Sequence, residues 1–261
     1  IDNTAKVKFE IINNLNRSGT LVVNSDCEQS MKMIKGLKNY QIITFGTNGN
    51  VSFSNYKNTG NGCSFDFKSN WGNAFVKLNL IGKHNVYNFI AAATVALSNG
   101  VELVEIIKKA KTIQSINGRM KIIAGINNSI IIDDSYNSNP QSVNAAIEYL
   151  SELSVENKVT VLGDMLELGD ASSDFHREIG TVCKNNGINR LLSLGKYSTD
   201  ITKGFNSNSA NSYLDKKTLI DDLKNIINNV ENTAILIKGS RKMNFEEIVS
   251  ELSEKDECLI Q

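Results

Sequence analysis

Apolar residues recur along this chain with more than one period, and the changes of period mark its elements. Over residues 2–15, Val7, Ile11 and Leu15 fall at helical spacing with Lys6, Lys8 and Glu10 mostly opposite, which predicts an amphipathic helix. A strand at 21–24, a short helix near 29–35 and a strand at 41–45 follow. From 51 to 80 the period drops to two. VSFSNY, CSFDFK and AFVKLNL alternate as an antiparallel meander does, with Gly60, Gly62 and Gly72 at its turns. Helices at 85–99, closed by Gly100, and at 103–111 complete this half.

Beyond residue 121 strands and helices alternate. Strands near 121–125, 129–133, 158–162, 190–194 and 233–237 are interleaved with helices at 140–153, 173–185, 198–204, 217–229 and 243–252. Strands separated by helices of that length give right-handed βαβ units, so the fold class is α/β with a mostly parallel, Rossmann-like sheet. No G-x-G-x-x-G occurs, so dinucleotide binding is not supported. The organising stretch is IIIDDSYNSNP, residues 130–140: a buried strand runs out into a polar turn, and Pro140 suits the first turn of a helix. In such sheets ligands bind beyond the carboxyl ends of strands, which makes Asp134, Ser135, Tyr136, Asn137 and Asn139 site candidates. The same residues also fit a polar strand-to-helix loop in which Asn139 is the cap.

Composition narrows the function classes. The 261 residues suffice for two ordinary domains, and 28 basic residues balance 28 acidic ones, which gives no general nucleic-acid or membrane surface. There is no apolar run of about 18 residues, and a soluble cytoplasmic monomer is the expectation. Cys27, Cys63, Cys183 and Cys258 stand far apart, with only His84 and His176 to join them, so they read as reduced structural thiols. No Cys or Ser triad with His is indicated.

The motifs DDSYNSNPQSVNAAIEYL, VLGDMLELG (161–169) and KGSR (238–241) stand in one order over more than a hundred residues. In this they resemble the C-terminal domain of the Mur ligases. The resemblance implies that residues 1–117 are the latter part of a central ATP-binding domain and 118–261 a C-terminal ligase domain. It also implies ATP and Mg2+ as cofactors and amide-bond formation through an acyl phosphate. The strand-end reading DSYNSNP is similar to that of members joining D-alanyl-D-alanine to a UDP-N-acetylmuramoyl tripeptide, whereas members adding the third amino acid read more like D-Y-A-H. Another Mur ligase, a folylpolyglutamate synthase-like ligase and a non-catalytic nucleotide- or dipeptide-binding module are the rival readings.

Site residues follow by resemblance, each beside a plainer reading. Lys8 matches a lysine that is carbamylated and ligates Mg2+; as a residue alone it is a solvated charge. Asn24 ends a strand similar to the one facing adenine, or caps a turn. In GKHNVYNF, Asn85 and Asn88 lie three apart on one helical face and match an adenine-reading pair, with His84 a weaker ATP candidate; a helix cap is the alternative. Arg119, after the hinge-permitting Gly118, matches an arginine that reaches ATP, and Asp134 matches an ATP-contacting aspartate. Asn137, Asn139, Lys238, Ser240 and Arg241 are expected to receive a dipeptide carboxylate. Asp164 and Glu167 either fix the incoming ammonium or cap the next segment, and His176 matches a family position without a derivable role. GTNGN (46–50) tempts as a phosphate loop, but Asn50 and Val51 replace the required Lys and hydroxyl, and a strand rather than a helix follows. It reads as a turn, and the resemblance then implies that the phosphate loop and the remaining metal ligands lie upstream of Ile1.

Overall fold

A computed structural model describes residues 2–16 and 18–254. Two compact units divide between Gln114 and Ser115. Cys258 lies outside the described residues. No helix among the described residues is long and apolar enough to cross a membrane.

The first unit opens with α1 (Asp2–Phe9), which tightens into a 3-10 segment at Glu10–Asn14. Val7 and Ile11 are each 64% exposed, so the stripe that predicted a buried helix face is open within this unit. Strands β1 (Thr20–Asn24) and β2 (Gln41–Phe45) pair in parallel, with α2 (Glu28–Ile34) between them. The alternating stretch forms the meander β3 (Ser52–Asn58), β4 (Cys63–Ser69) and β5 (Gly72–Leu78), antiparallel throughout. Helices α3 (Lys83–Ser98) and α4 (Leu103–Ala110) follow. Phe53, Phe65, Phe67 and Val76 share one core with Val86, Phe89, Ile90 and Leu97 of α3. Phe65 meets Phe53 and Phe89 edge-on at 6.0 and 5.9 Å between centroids, a favoured aromatic geometry. Alternation puts these residues on one side of the meander, and helical spacing puts the α3 residues opposite them.

In the second unit, β6 (Lys121–Gly125) and β7 (Ser129–Asp133) are antiparallel, because three residues are too few for a crossover. Next come α5 (Pro140–Glu152), β8 (Asn157–Gly163), α6 (Ser172–Asn185), β9 (Arg190–Leu194) and α7 (Ser198–Phe205). The chain continues through β10 (Ala210–Tyr213), α8 (Lys216–Asn229), β11 (Thr233–Lys238) and α9 (Glu246–Leu252). Strand order is β10-β9-β8-β11-β7-β6, parallel except for β6. Ile131, Ile235 and Ile237 cluster with Leu219, Leu223 and Ile227 of α8 and with Ile248 and Leu252 of α9. Ile132 and Leu236 point to the opposite face, where α5 packs on β8 and β11. β11 lies between β7 and β8: the connection after β8 runs on through α6 to β9, whereas α9, after β11, packs back on β7. The chain thus reverses direction between the carboxyl ends of β8 and β11, the kind of place where open α/β sheets bind ligands.

Cys27, Cys63 and Cys183 are free thiols. Burial pushes Cys63 up to about 11 and Cys183 up to about 12, which keeps both protonated and unreactive.

Candidate active site at the strand ends

At the end of β7 the two aspartates face different partners. Asp133 accepts hydrogen bonds from Gly118 N at 2.8 Å and from Ser135 Oγ at 2.6 Å. Asp134 accepts from Met120 N at 3.2 Å and from Lys238 Nζ at 2.5 Å. The Lys238 ammonium donates a second bond, to Asn137 O, at 2.9 Å. Lys238 is 1% exposed and Asp134 7%. The lysine is buried because it is the last residue of a central strand covered on both faces. Burial pushes its ammonium below the ordinary lysine value, the Asp134 charge opposes that, and Arg119 adds to it.

The loop then turns into α5. Asn139 accepts from Ser142 N at 2.8 Å while Ser142 Oγ accepts from Asn139 N at 3.1 Å, a capping box with Pro140 in the first turn. The plainer reading of Asn139 is thus realised. Asn137 Oδ1 accepts from Ser138 N at 2.8 Å. Ser138, which sequence reasoning passed over, is 5% exposed and its hydroxyl has no hydrogen-bond partner. A buried hydroxyl of this kind needs a partner, and a bound ligand is one.

Arg119 projects from a segment bent by left-handed residues on both sides, Gly118 at φ 75° and Met120 at φ 51°. For buried Met120 that conformation costs about 1 kcal/mol or more, offset here by its N–H bond to Asp134. The Arg119 guanidinium lies 4.1 Å above the Tyr136 ring centroid, and that of Arg241 lies 5.9 Å from it. Arg241 also pairs with Glu246 at 2.7 Å, an exposed contact of little energetic weight.

The GDM loop after β8 is built from inside. Asp164 accepts backbone bonds from Lys196 and Tyr197, each at 2.9 Å, and a Cβ at Gly195 would fall 2.5 Å from its carboxylate. Its carbonyl accepts from Ser240 N at 3.1 Å and from Ser240 Oγ, while Ser240 Oγ also accepts from Leu166 N at 3.2 Å. Asp164 therefore caps the segment after β9. Glu167, in the left-handed region at φ 64°, is exposed.

His176, wholly buried, accepts from Met165 N at Nε2 (2.8 Å) and donates from Nδ1 to Ser172 O (2.5 Å), so its proton is assigned to Nδ1. Its ring stacks on Tyr197 at 4.5 Å. A role underivable from sequence thus becomes plain: it fastens the loop to α6. His176→Ala would leave the Met165 N–H unsatisfied and a cavity behind it. Urea unfolding is expected to show a loss of about 2–3 kcal/mol; a loss below about 1 kcal/mol would mean the loop stands without it.

In the first unit Asn24 Oδ1 accepts from Asp26 N at 2.9 Å, which is a turn cap. Asp26 is a hub that sequence reasoning missed. It accepts from Thr47 N and Tyr87 Oη at 2.8 Å each, joining the end of β1, the GTNGN turn and α3. Partial burial alone would raise its carboxyl, and the bonds from Thr47, Tyr87 and Ser25 outweigh that and hold it low. GTNGN is a turn leading into a strand, with Asn50 Oδ1 accepting from Thr44 N at 2.9 Å. Asn85 Nδ2 donates to Ile81 O at 2.8 Å, and Asn88 Nδ2 donates to Asn85 Oδ1 at 3.1 Å, so the two amides are a coupled pair on one face of α3. His84 stands one position before them, its ring against Gly82. Lys8 is exposed on α1. Among the described residues no three His, Cys, Asp or Glu side chains gather closely enough to hold a metal.

The comparisons fall on the same two units. The family model for the Mur ligase middle domain matches residues 1–96, and that for the Mur ligase, glutamate ligase domain, matches 118–241. The UDP-N-acetylmuramoyl-tripeptide--D-alanyl-D-alanine ligase of Escherichia coli (strain K12) is 34% identical over 257 residues, covering 97% of this chain and 56% of its own length. The enzyme of that name from Bacillus subtilis (strain 168) is 32% identical over 257 residues, 96% of this chain and 54% of its own. A crystal structure of MurF from Acinetobacter baumannii superposes with a TM-score of 0.90 at 28% identity, covering 97% of this chain and 56% of that one. The chain thus spans little more than half the length of these relatives. With a matched model on each unit and relatives of one kind along almost its whole length, the chain belongs to the Mur ligase family, of which it carries the middle and C-terminal domains.

Proposed function

We propose that the protein bearing this chain is an ATP-dependent ligase that joins D-alanyl-D-alanine to a UDP-N-acetylmuramoyl tripeptide in the cytoplasm. The observation that carries this is the 34% identity, across 97% of the chain, to a ligase named for that reaction. In the proposed reaction the γ-phosphate of ATP passes to the terminal carboxylate of the tripeptide. The amine of the dipeptide then attacks the acyl phosphate, forming the amide and releasing inorganic phosphate. Such chemistry needs mainly positioning and neutralisation of charge. Arg119 supplies an always-charged planar fork for phosphate oxygens, and Asp134, held by Lys238, faces the nucleotide beside it. Asn24, His84, Asn85 and Asn88 are the nucleotide-binding residues of the middle domain in this reading, and Asn88 is exposed. Asn137 and Arg241, both exposed, receive the dipeptide carboxylate, while Lys238 and Ser240 shape that edge from inside and Asn139, exposed, caps α5. Lys8, once carbamylated, would supply one oxygen ligand for the Mg2+ that the reaction uses.

The test is phosphate release by the product of the complete reading frame, with UDP-N-acetylmuramoyl tripeptide present and the acceptor varied. Release that requires D-alanyl-D-alanine, and neither a single amino acid nor glutamate, is expected. Release with another acceptor would keep the ligase chemistry and reassign the substrate. The 261 residues alone are expected to bind ligands without turnover, since GTNGN lacks the lysine and hydroxyl of a phosphate loop.

A further inference from the structure

We propose that Tyr136 is a positioning residue: its ring face holds the Arg119 guanidinium in place, so that the cation is already set when an anionic group arrives. The proposal rests on the ligase reading for the identity of that group, a phosphoryl group in transfer.

Tyr136 is 46% exposed, although its neighbours Ser135 and Ser138 are 2% and 5% exposed. No burial of apolar area accounts for an aromatic ring at that point. Both guanidiniums lie within the distance, about 6 Å, at which a ring face attracts a cation. The negative π density of the ring attracts each cation, and Arg119, the nearer, more strongly than Arg241.

The backbone shows that the two segments are built as one. Tyr136 N donates to Gly118 O at 3.1 Å, and a Cβ at Gly118 would lie 3.0 Å from the Tyr136 backbone. Gly118 N is fixed by Asp133 and Met120 N by Asp134. The main chain on each side of Arg119 is therefore anchored to the turn 133–136. The long side chain beyond it is steadied by the ring. A guanidinium held in one place loses less freedom when it meets phosphate oxygens, and that gain is realised in turnover.

The test compares Tyr136→Leu and Tyr136→Phe in the complete protein. In Tyr136→Leu, kcat for phosphate release is expected to fall about tenfold while KM for D-alanyl-D-alanine stays within about twofold. Tyr136→Phe keeps the ring face and is expected to stay within about twofold of wild type. Both should melt within about 2 °C of wild type, since the residue is half exposed. Wild-type kinetics in Tyr136→Leu, or equal damage in Tyr136→Phe, would overturn the proposal. A second readout needs no turnover: the ring current of Tyr136 should shift the Arg119 side-chain proton resonances, and Tyr136→Leu should return them to ordinary values. Unshifted resonances in the wild type would overturn the proposal whatever the kinetics. A wild type that releases no phosphate would overturn the ligase reading alone, and the ring-current shift would still decide the role of Tyr136.

Discussion

Lys238→Met is expected to destabilise the second unit by about 3–5 kcal/mol, the scale for removing one partner of a buried ion pair. Methionine keeps most of the stem and removes only the charge and its hydrogen bonds. What it leaves is a carboxylate, 7% exposed, that has lost the ammonium 2.5 Å away. The Asn137 carbonyl loses its donor at the same time. Urea unfolding of Lys238→Met, Asp134→Asn and the double variant forms a cycle that isolates the pair. The double variant should recover much of the loss, because a neutral amide costs far less to bury than an unpaired charge. A single-variant loss below about 1 kcal/mol would show that water reaches Asp134.

Arg119→Ala is expected to reduce turnover of the complete protein by about 100- to 1000-fold, the scale for removing one preorganised group that stabilises developing charge. Its effect on folding should be small, since Arg119 is exposed and its bends are set by the backbone bonds of Gly118 and Met120. A melting temperature within about 2 °C of wild type is the companion expectation. Arg119→Lys restores the charge but not the planar fork or the broad contact with Tyr136, and should recover only part of the rate. An Arg119→Ala protein that unfolds would make the residue structural.

Much of this was legible in sequence because local pattern and tertiary demand agreed. Residues 129–133 read as a buried strand and are β7; Pro140 and Asn139 read as a helix start and form one. Where pattern failed, the missing term was tertiary. β10, with the sequence ANSY, is a short and mostly polar edge strand that exists through its pairing with β9 and carries no apolar signal of its own. The stripe Val7, Ile11 and Leu15 promised a buried face, but helical spacing does not say what will cover it. In the candidate site, motif position located Lys238, Ser240 and Asn139 but not their present work. Lys238 and Ser240 are held by partners inside the fold and Asn139 by the local capping box: a lysine's burial depends on which strand becomes central. Asp26 and Tyr87 were invisible for the same reason, their bond spanning 61 residues. The stacking of Arg119 on Tyr136 depends on a turn that brings residues 17 apart into contact.

The place of β11 in the sheet also sets an order of events. Its partners β7 and β8 are made first, yet neither touches the other, and the strand that joins them emerges from the ribosome about seventy to a hundred residues later. The ion pair at its end closes a loop of 104 residues. Until Lys238 arrives, Asp134 stays in water with no cost to be met, and the site has no shape. Assembly of this strand-end edge is therefore expected to come late in the folding of the unit, after a loop closure whose entropic cost grows only slowly with the length of chain drawn together.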